Sequence, residues 1–246
     1  MEHAEFVWEQ PGSRTVILFV HGILGTPNHF NNLIRAVPDE WSIYNILLDG
    51  HGKTVDDFAA ATMEKWKGKV HQLVSELSVR YENIVIAAHS MGTLFAISET
   101  LDNKKIKKLF LIDVPLKVSV KPRIMANSFK VIFGKIRPDD VIGVATQNAY
   151  SITPDRRLWK YLKWIPNYLA LFSEIRSTRK KIAQIQVPCF VFQSVEDELV
   201  AVSAVKYFRG NDRIKCRLLP RSGHFYYEES DAAFMLKVFR QFCEKV

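Results

Sequence analysis

Apolar residues fall into short dense runs, separated by longer stretches in which they recur every three or four positions. The dense runs are TVILFV (15–20), IYNILL (43–48), NIVIAA (83–88), KLFLIDV (108–114), CFVFQSV (189–195) and IKCRLL (214–219). Near-continuous runs of Val, Ile, Leu and Phe bounded by turn residues predict strands buried on both faces of a parallel sheet. Between them, NHFNNLIRAV follows the first run and VDDFAAATMEKWKGKVHQLVSELSVRY precedes the third, both with helical spacing. Further helices are predicted over about 93–101, over AVSAVKYF (201–208) and over DAAFMLKVFRQFCEK (231–245).

This alternation predicts an α/β fold, a doubly wound and mostly parallel sheet with right-handed crossovers. One interval breaks the rhythm. Residues 115–188 contain no convincing buried strand, only helix-like stretches interrupted at Pro122, Pro138, Pro154 and Pro166. A segment that long is not expected to be bare loop. It reads as a helical insertion into a core made of residues 1–114 and 189–246. Coming after the fourth run, it should lie over the carboxyl edge of the sheet, where such folds bind ligands.

At 246 residues the chain suits one domain of generous size or a core carrying an insertion. No run approaches the roughly 18 apolar residues of a spanning helix, and the start MEHAEFVWEQPG has no apolar leader region, so the expected location is cytoplasmic. Cys189, Cys216 and Cys243 are odd in number, far apart and set in apolar runs, which fits buried packing residues and not a disulfide framework. The seven histidines lack metal-site spacing, so no metal is expected. The net charge of +8 is localised: residues 116–186 hold 14 Lys/Arg against 4 Asp/Glu, and the rest of the chain 20 against 22. No zinc-finger, RNP or P-loop pattern accompanies the basic segment, so nucleic acid is not an expected partner. An anionic substrate, transient contact with an anionic lipid surface or a merely solvated basic face remain open for it.

The chemistry concentrates at strand ends. In AAHSMGTL (87–94), Ser90 sits where a buried run turns into a helix. That is the layout of a nucleophile elbow, G-x-S-x-G, with Ala88 in place of the first glycine and Gly92 as the second. The plainer reading of Ser90 is a helix cap. A serine nucleophile needs a base, and the base an orienting carboxylate, in the chain order Ser, acid, His. SVEDELV supplies Asp197 and SGHFYYEES supplies His224, each just past a run. Taken singly, Asp197 could cap a helix and His224 could be a loop histidine.

HGILGTP, LLDGHGKT, AHSMGT, EDELV and SGHF together resemble the α/β-hydrolases, most of all the carboxylesterase and monoglyceride-lipase branch with its serine-aminopeptidase-like members. The resemblance implies a helical cap in the insertion, no cofactor and a triad of Ser90, Asp197 and His224. It also implies oxyanion donors at the backbone N–H groups of Ile23, after His21-Gly22, and Met91. Asp113 is an alternative acid, because some members of the fold carry it after that strand. Glu196 and Glu198 are expected to face solvent. His51 matches a loop often near the site, or is a turn residue. Substrate contacts are expected from Gly22, His89 (or packing below the elbow, for the latter) and from insertion aromatics such as Phe129, Phe133, Trp159 and Trp164, which could equally be that segment's own core.

The function so implied is hydrolysis of a small carboxylic ester with an apolar acyl group, through an acyl-enzyme. A peptidase, thioesterase or lactonase uses the same triad, and a non-catalytic binding member of the fold would lack one of its parts. A dehalogenase or epoxide hydrolase would need a carboxylate where Ser90 stands.

Overall fold

The computed structural model describes residues 3–244, so Lys245 of the expected last helix lies outside the described residues. Seven strands form one sheet in the order β1-β3-β2-β4-β5-β6-β7. They are β1 (Phe6–Trp8), β2 (Thr15–Val20), β3 (Ser42–Ile46), β4 (Asn83–His89), β5 (Ile106–Ile112), β6 (Cys189–Ser194) and β7 (Ile214–Leu219). All neighbouring pairs are parallel except β1 with β3. The expected six-run pattern did not include β1, whose three residues are all exposed and therefore carry no burial signal. β7, at the opposite edge, is partly exposed and not buried on both faces as its composition implied.

The helices are α1 (Asn31–Ile34), α2 (Val55–Ala60), α3 (Met63–Arg80), α4 (Met91–Asp102), α5 (Pro122–Ile132), α6 (Val141–Ala149), α7 (Ile165–Arg179) and α8 (Glu229–Cys243). The long helix expected before β4 is broken in two. Ala61 is extended, and the Thr62 hydroxyl accepts from the Lys65 N–H, so a new N-cap interrupts an unbroken apolar rhythm. AVSAVKYF forms a 3-10 run at Val202–Phe208, and NHFNNLIRAV a 3-10 turn followed by the single-turn α1.

Alternation along each strand sends side chains to opposite faces. Val16, Leu18, Val20, Ile84, Ile86 and Ala88 pack with α2, α3, α4 and α7, whereas Ile17, Phe19, Val85 and Ala87 pack against α1 and α8. Residues 115–188 hold α5, α6, a 3-10 stretch Leu158–Trp164 and α7. This segment is not packed only on itself. Trp164 and Ile175 belong to the same apolar cluster as the sheet, and the Trp164 ring lies 4.7 Å from that of Phe58 on α2.

Parallel strands bring their carboxyl ends to one edge, where His21, Ser90, Asp113, Asp197 and His224 follow β2, β4, β5, β6 and β7. The tightest packing lies behind Ser90. A methyl group on Gly92 would come within 2.2 Å of the Val20 carbonyl oxygen and 2.7 Å of that of His21, both backbone atoms that cannot yield. Gly92→Ala should therefore destabilise the fold by about 3 kcal/mol. Gly68, in α3, has nothing within 4 Å of such a methyl, so Gly68→Ala should stabilise by about 1 kcal/mol. Paired urea melts test both, and equal effects of the two substitutions would contradict the packing argument.

Candidate active site

Ser90 is the residue between β4 and α4, at φ 50° and ψ −123°, a conformation that costs a residue with a side chain on the order of 1–3 kcal/mol. The surroundings impose it. Ser90 N–H donates to the Ile112 carbonyl (2.9 Å), and the Ser90 carbonyl accepts from Thr93 N–H (3.0 Å). Its side chain makes no cap hydrogen bond to the helix it precedes, so the helix-cap reading does not describe it. Ala88 is fully buried with its strand, and its methyl is accommodated beneath the turn.

Ser90 Oγ lies 3.1 Å from His224 Nε2, and His224 Nδ1 lies 2.7 Å from Asp197 Oδ2. The second oxygen of Asp197 accepts from the N–H groups of Leu199 (2.7 Å) and Val200 (2.8 Å), which fixes the carboxylate's orientation. All three side chains are buried. Burial of the imidazole disfavours its charged form, but the negative charges of Asp197, Asp113 and Glu198 outweigh it, and His224 titrates above the ordinary histidine value. Asp113, the alternative acid, comes within 4.8 Å of the His224 ring but makes its hydrogen bonds with other groups. It accepts from Ser194 N–H (2.7 Å) and from the hydroxyls of Ser194 (3.2 Å) and Tyr227 (3.1 Å). Burial, then the charge of Asp197, raises its pKa well above the usual carboxylate range.

The His21-Gly22 loop presses directly on the elbow: a methyl on Gly22 would lie 2.7 Å from Ser90 Cβ. Gly22 thus sets the approach of the loop. Leu24 stands at φ 58°, and its N–H donates to His51 Nε2 (3.1 Å). His21 Nε2 in turn accepts from Leu48 N–H (3.0 Å), its Nδ1 lying 2.8 Å from the Gly22 carbonyl. Two neutral imidazoles, rings 4.7 Å apart, therefore hold the loop that presents Ile23, a role for His51 that its sequence context alone did not reveal. Met91 is the first residue of α4, and its N–H points out of the helix end that carries partial positive charge.

Above Ser90 opens a cavity of about 340 Å³, small among the roughly 300–1,000 Å³ of small-molecule sites. Its wall includes Ile23, Met125, Tyr168, Phe172, Val200 and Phe225, and it is almost wholly apolar. Phe129, Phe133, Trp159 and Trp164 do not line it. On α5 the cavity takes Ile124, Met125 and Ser128, and the next residue, Phe129, is rotated away and half-exposed. Trp159 faces solvent, and the Trp164 indole N–H donates to the Val55 carbonyl (3.0 Å). His89 is a packing residue. Its ring stacks 3.9 Å from that of His29, and its Nε2 lies 3.2 Å from the His224 carbonyl. Glu196 is exposed as expected, whereas Glu198 is buried, because its carboxylate is taken up by Arg123 and by the His224 N–H. Cys189 and Cys243 are buried and Cys216 half-buried.

Among the described residues one group could gather a cation: His89, Asp113 and His224 bring ligand atoms within 4.8 Å of one another. Each of these side chains already has protein hydrogen-bond partners.

Burial lowers the pKa of His21 to about 4 and holds His51 and His89 well below the ordinary value. Below about pH 6.5 each takes up a proton on unfolding but not in the fold. Stability is thus complete above that pH and falls below it, by about 1.4 kcal/mol per pH unit for each histidine. His29, lowered to about 3 by burial, adds a fourth such histidine, and Asp113, shifted upward to about 7, acts in the opposite sense and offsets one of them. The melting temperature should drop between pH 6.5 and pH 5, and a constant value over that range would contradict the assignment of neutral buried imidazoles.

A family model described as the alpha/beta hydrolase family matches residues 17–236. A thermostable monoacylglycerol lipase of Bacillus sp. (strain H-257) is 26% identical over 191 residues, which is 75% of this chain and 71% of the relative. A solved structure from work on LipS and LipT, two metagenome-derived lipolytic enzymes, superposes with a TM-score of 0.75 at 19% identity, covering 100% of this chain and 98% of that one. A soluble variant of monoglyceride lipase from Saccharomyces cerevisiae, in complex with a substrate analog, gives a TM-score of 0.70 at 12% identity over 98% and 90% of the two chains. By the match over residues 17–236, on a seven-stranded, mostly parallel sheet flanked by helices, the chain belongs to the alpha/beta hydrolase family.

Proposed function

We propose that this chain is a serine hydrolase of carboxylic esters, of the carboxylesterase or monoglyceride-lipase type, acting through Ser90, His224 and Asp197. The observation that carries it is the continuous relay from Ser90 Oγ to His224 Nε2 and from His224 Nδ1 to Asp197, opening into an apolar cavity. His224 takes the hydroxyl proton as Oγ attacks the ester carbonyl, and Asp197 holds the imidazole tautomer and stabilises the imidazolium. The N–H groups of Ile23 and Met91 receive the developing oxyanion, each worth on the order of 10²- to 10³-fold in rate. His224 then protonates the leaving alcohol, and a water activated by the same base releases the acyl group. No part of the cycle asks for a cofactor. The apolar wall favours a neutral acyl chain over a charged peptide, and residues 115–188 act as a cap because α5, α6 and α7 form much of that wall.

The partner besides substrate is an anionic lipid surface, met transiently by the cap. Ile165, Leu169 and Phe172 repeat at helical spacing on α7 and are exposed, as are Met125 and Phe129 on α5. Met125 and Phe172 also line the cavity, so this apolar rim is continuous with the site, and the surrounding segment carries the basic excess. Among the described residues no helix is long and apolar enough to cross a membrane, which fits contact by a surface and not by a span.

Hydrolysis of a p-nitrophenyl ester series from short to long acyl chains tests the reaction. Ser90→Ala should lower kcat by on the order of 10⁶-fold and abolish fluorophosphonate labelling, and Asp197→Asn should lower it by on the order of 10⁴-fold. Undiminished turnover or an unchanged adduct in Ser90→Ala would refute the assignment. Since the base must be neutral and His224 titrates above its ordinary value, kcat/KM should rise with pH through a midpoint above 6.5. For the surface, Leu169→Asp with Phe172→Asp should weaken sedimentation with phosphatidylglycerol-containing vesicles. Equal binding of wild type to neutral and anionic vesicles would remove the charge component.

A further inference from the structure

We propose that Glu198 is a positioning residue that, with Arg123, clamps the first cap helix to the loop carrying His224. The inference rests on the reading of His224 as the base. Glu198 follows Asp197, yet its carboxylate turns away from solvent into a gap that only glycine leaves open: a methyl on Gly223 would stand 2.7 Å from Glu198 Oε2. There Oε2 accepts the backbone N–H of His224 (3.0 Å), and Oε1 accepts from the Arg123 guanidinium (2.5 Å). The Glu198 side chain is 4% exposed and that of Arg123 45%, so the pair bridges the buried base to the rim of α5. The same guanidinium lies 3.5 Å from the Glu196 carbonyl oxygen.

A second, backbone connection runs alongside. Ser119 N–H donates to the Leu199 carbonyl, Lys121 N–H to that of Glu198, and Ala201 N–H to that of Lys117, each at 2.8 Å. The chain entering the cap therefore runs antiparallel to the acid loop, with Val118 opposite Val200. Val118, Val200 and, on α5, Ile124 and Met125 all line the cavity. One ribbon thus carries the acid, a wall of the acyl site and the cation for Glu198. Seating α5 on a substrate and aligning the His224 loop become one movement. A carboxylate left there without Arg123 would face the base uncompensated, because burial makes an unpaired charge costly.

The charges about the His224 ring are Asp197, Asp113 and Glu198, with His29 and His89 packed nearby. Those about Glu198 are Arg123 and, through Glu196, Lys121. Two variants then pull the base in opposite directions. Glu198→Gln keeps an oxygen for the His224 N–H but removes a negative charge, so the His224 pKa should fall. Arg123→Met removes the compensating cation, so it should rise, and Arg123→Lys should restore it. Proton NMR titration of the His224 ring, assigned with His224→Gln, reads this without any turnover. Hydrogen exchange over residues 122–132 should quicken severalfold in Glu198→Gln and Arg123→Met. In both variants kcat should fall about tenfold, with KM changed less, as expected for a misplaced base.

Shifts of the same sign in Glu198→Gln and Arg123→Met, or unchanged titration and exchange in folded variants of normal melting temperature, would overturn the clamp. If wild-type protein lacks Ser90-dependent turnover, the proposed reaction fails, while titration and exchange still decide whether Glu198 couples α5 to the histidine loop.

Discussion

The close approach of the elbow to β2 governs the rest of the site. α4 can start where it does only because Gly92 lets the helix lie on the Val20 and His21 carbonyls, at a distance no side chain would tolerate. The turn into that helix then forces Ser90 to φ 50°, which lifts its Oγ off the sheet edge and leaves the first N–H groups of α4 beneath it. Gly22 brings the neighbouring loop onto Ser90 Cβ from the other side. The strain at Ser90 is sustained by the buried strands β2 and β4 around it, of which only Asn83 at the start of β4 is not buried, and whose apolar side chains fill both layers.

Electrostatics around the elbow separate two kinds of histidine. His21, His51 and His89 are buried deeply enough that desolvation disfavours their charged forms, even with an Asp113 oxygen 3.9 Å from His89, so they stay neutral and act as fixed donors and acceptors. His224 is equally buried, but it lies against Asp197 with Asp113 and Glu198 near, and its charged form is favoured. A base that gains a proton during the proposed reaction is thereby placed where that proton is stabilised. The surrounding rings, locked in one tautomer each by backbone contacts, hold the loops still.

Residues 115–188, proposed above to act as a cap, join the sheet layers to unequal degrees. α7 and the 3-10 stretch before it contribute Trp164, Leu171 and Ile175 to the sheet's own core, while α5 is tethered mainly through Arg123 and the ribbon 117–121. The wall formed by α5 adds its buried Ile124 and Val131 to these polar and backbone contacts, and the wall formed by α7 is held by apolar burial in the sheet's core. Exposed apolar residues gather on both helices beside the cavity mouth.

What the sequence by itself determined is what local rules control. Runs of β-branched and large apolar residues mark six of the seven strands, five of them because burial in a parallel sheet leaves little alternative composition, and Ser90, Asp197 and His224 are legible as residues that follow such runs. The three-residue edge strand β1 was illegible, since nothing it carries is buried. Tertiary structure alone decided side-chain direction. It hydrogen-bonded Asp197 and not Asp113 to His224 and buried Glu198 against a cation 75 positions away. It also lined the cavity with Met125, Tyr168, Phe172 and Phe225 while leaving Phe129, Phe133, Trp159 and Trp164 outside it. One residue's step along a helix rotates a side chain by about 100°, and its partner there is supplied by a segment distant in the chain. Composition and spacing name the residues a site can use, but only packing between remote segments selects which of them face one another.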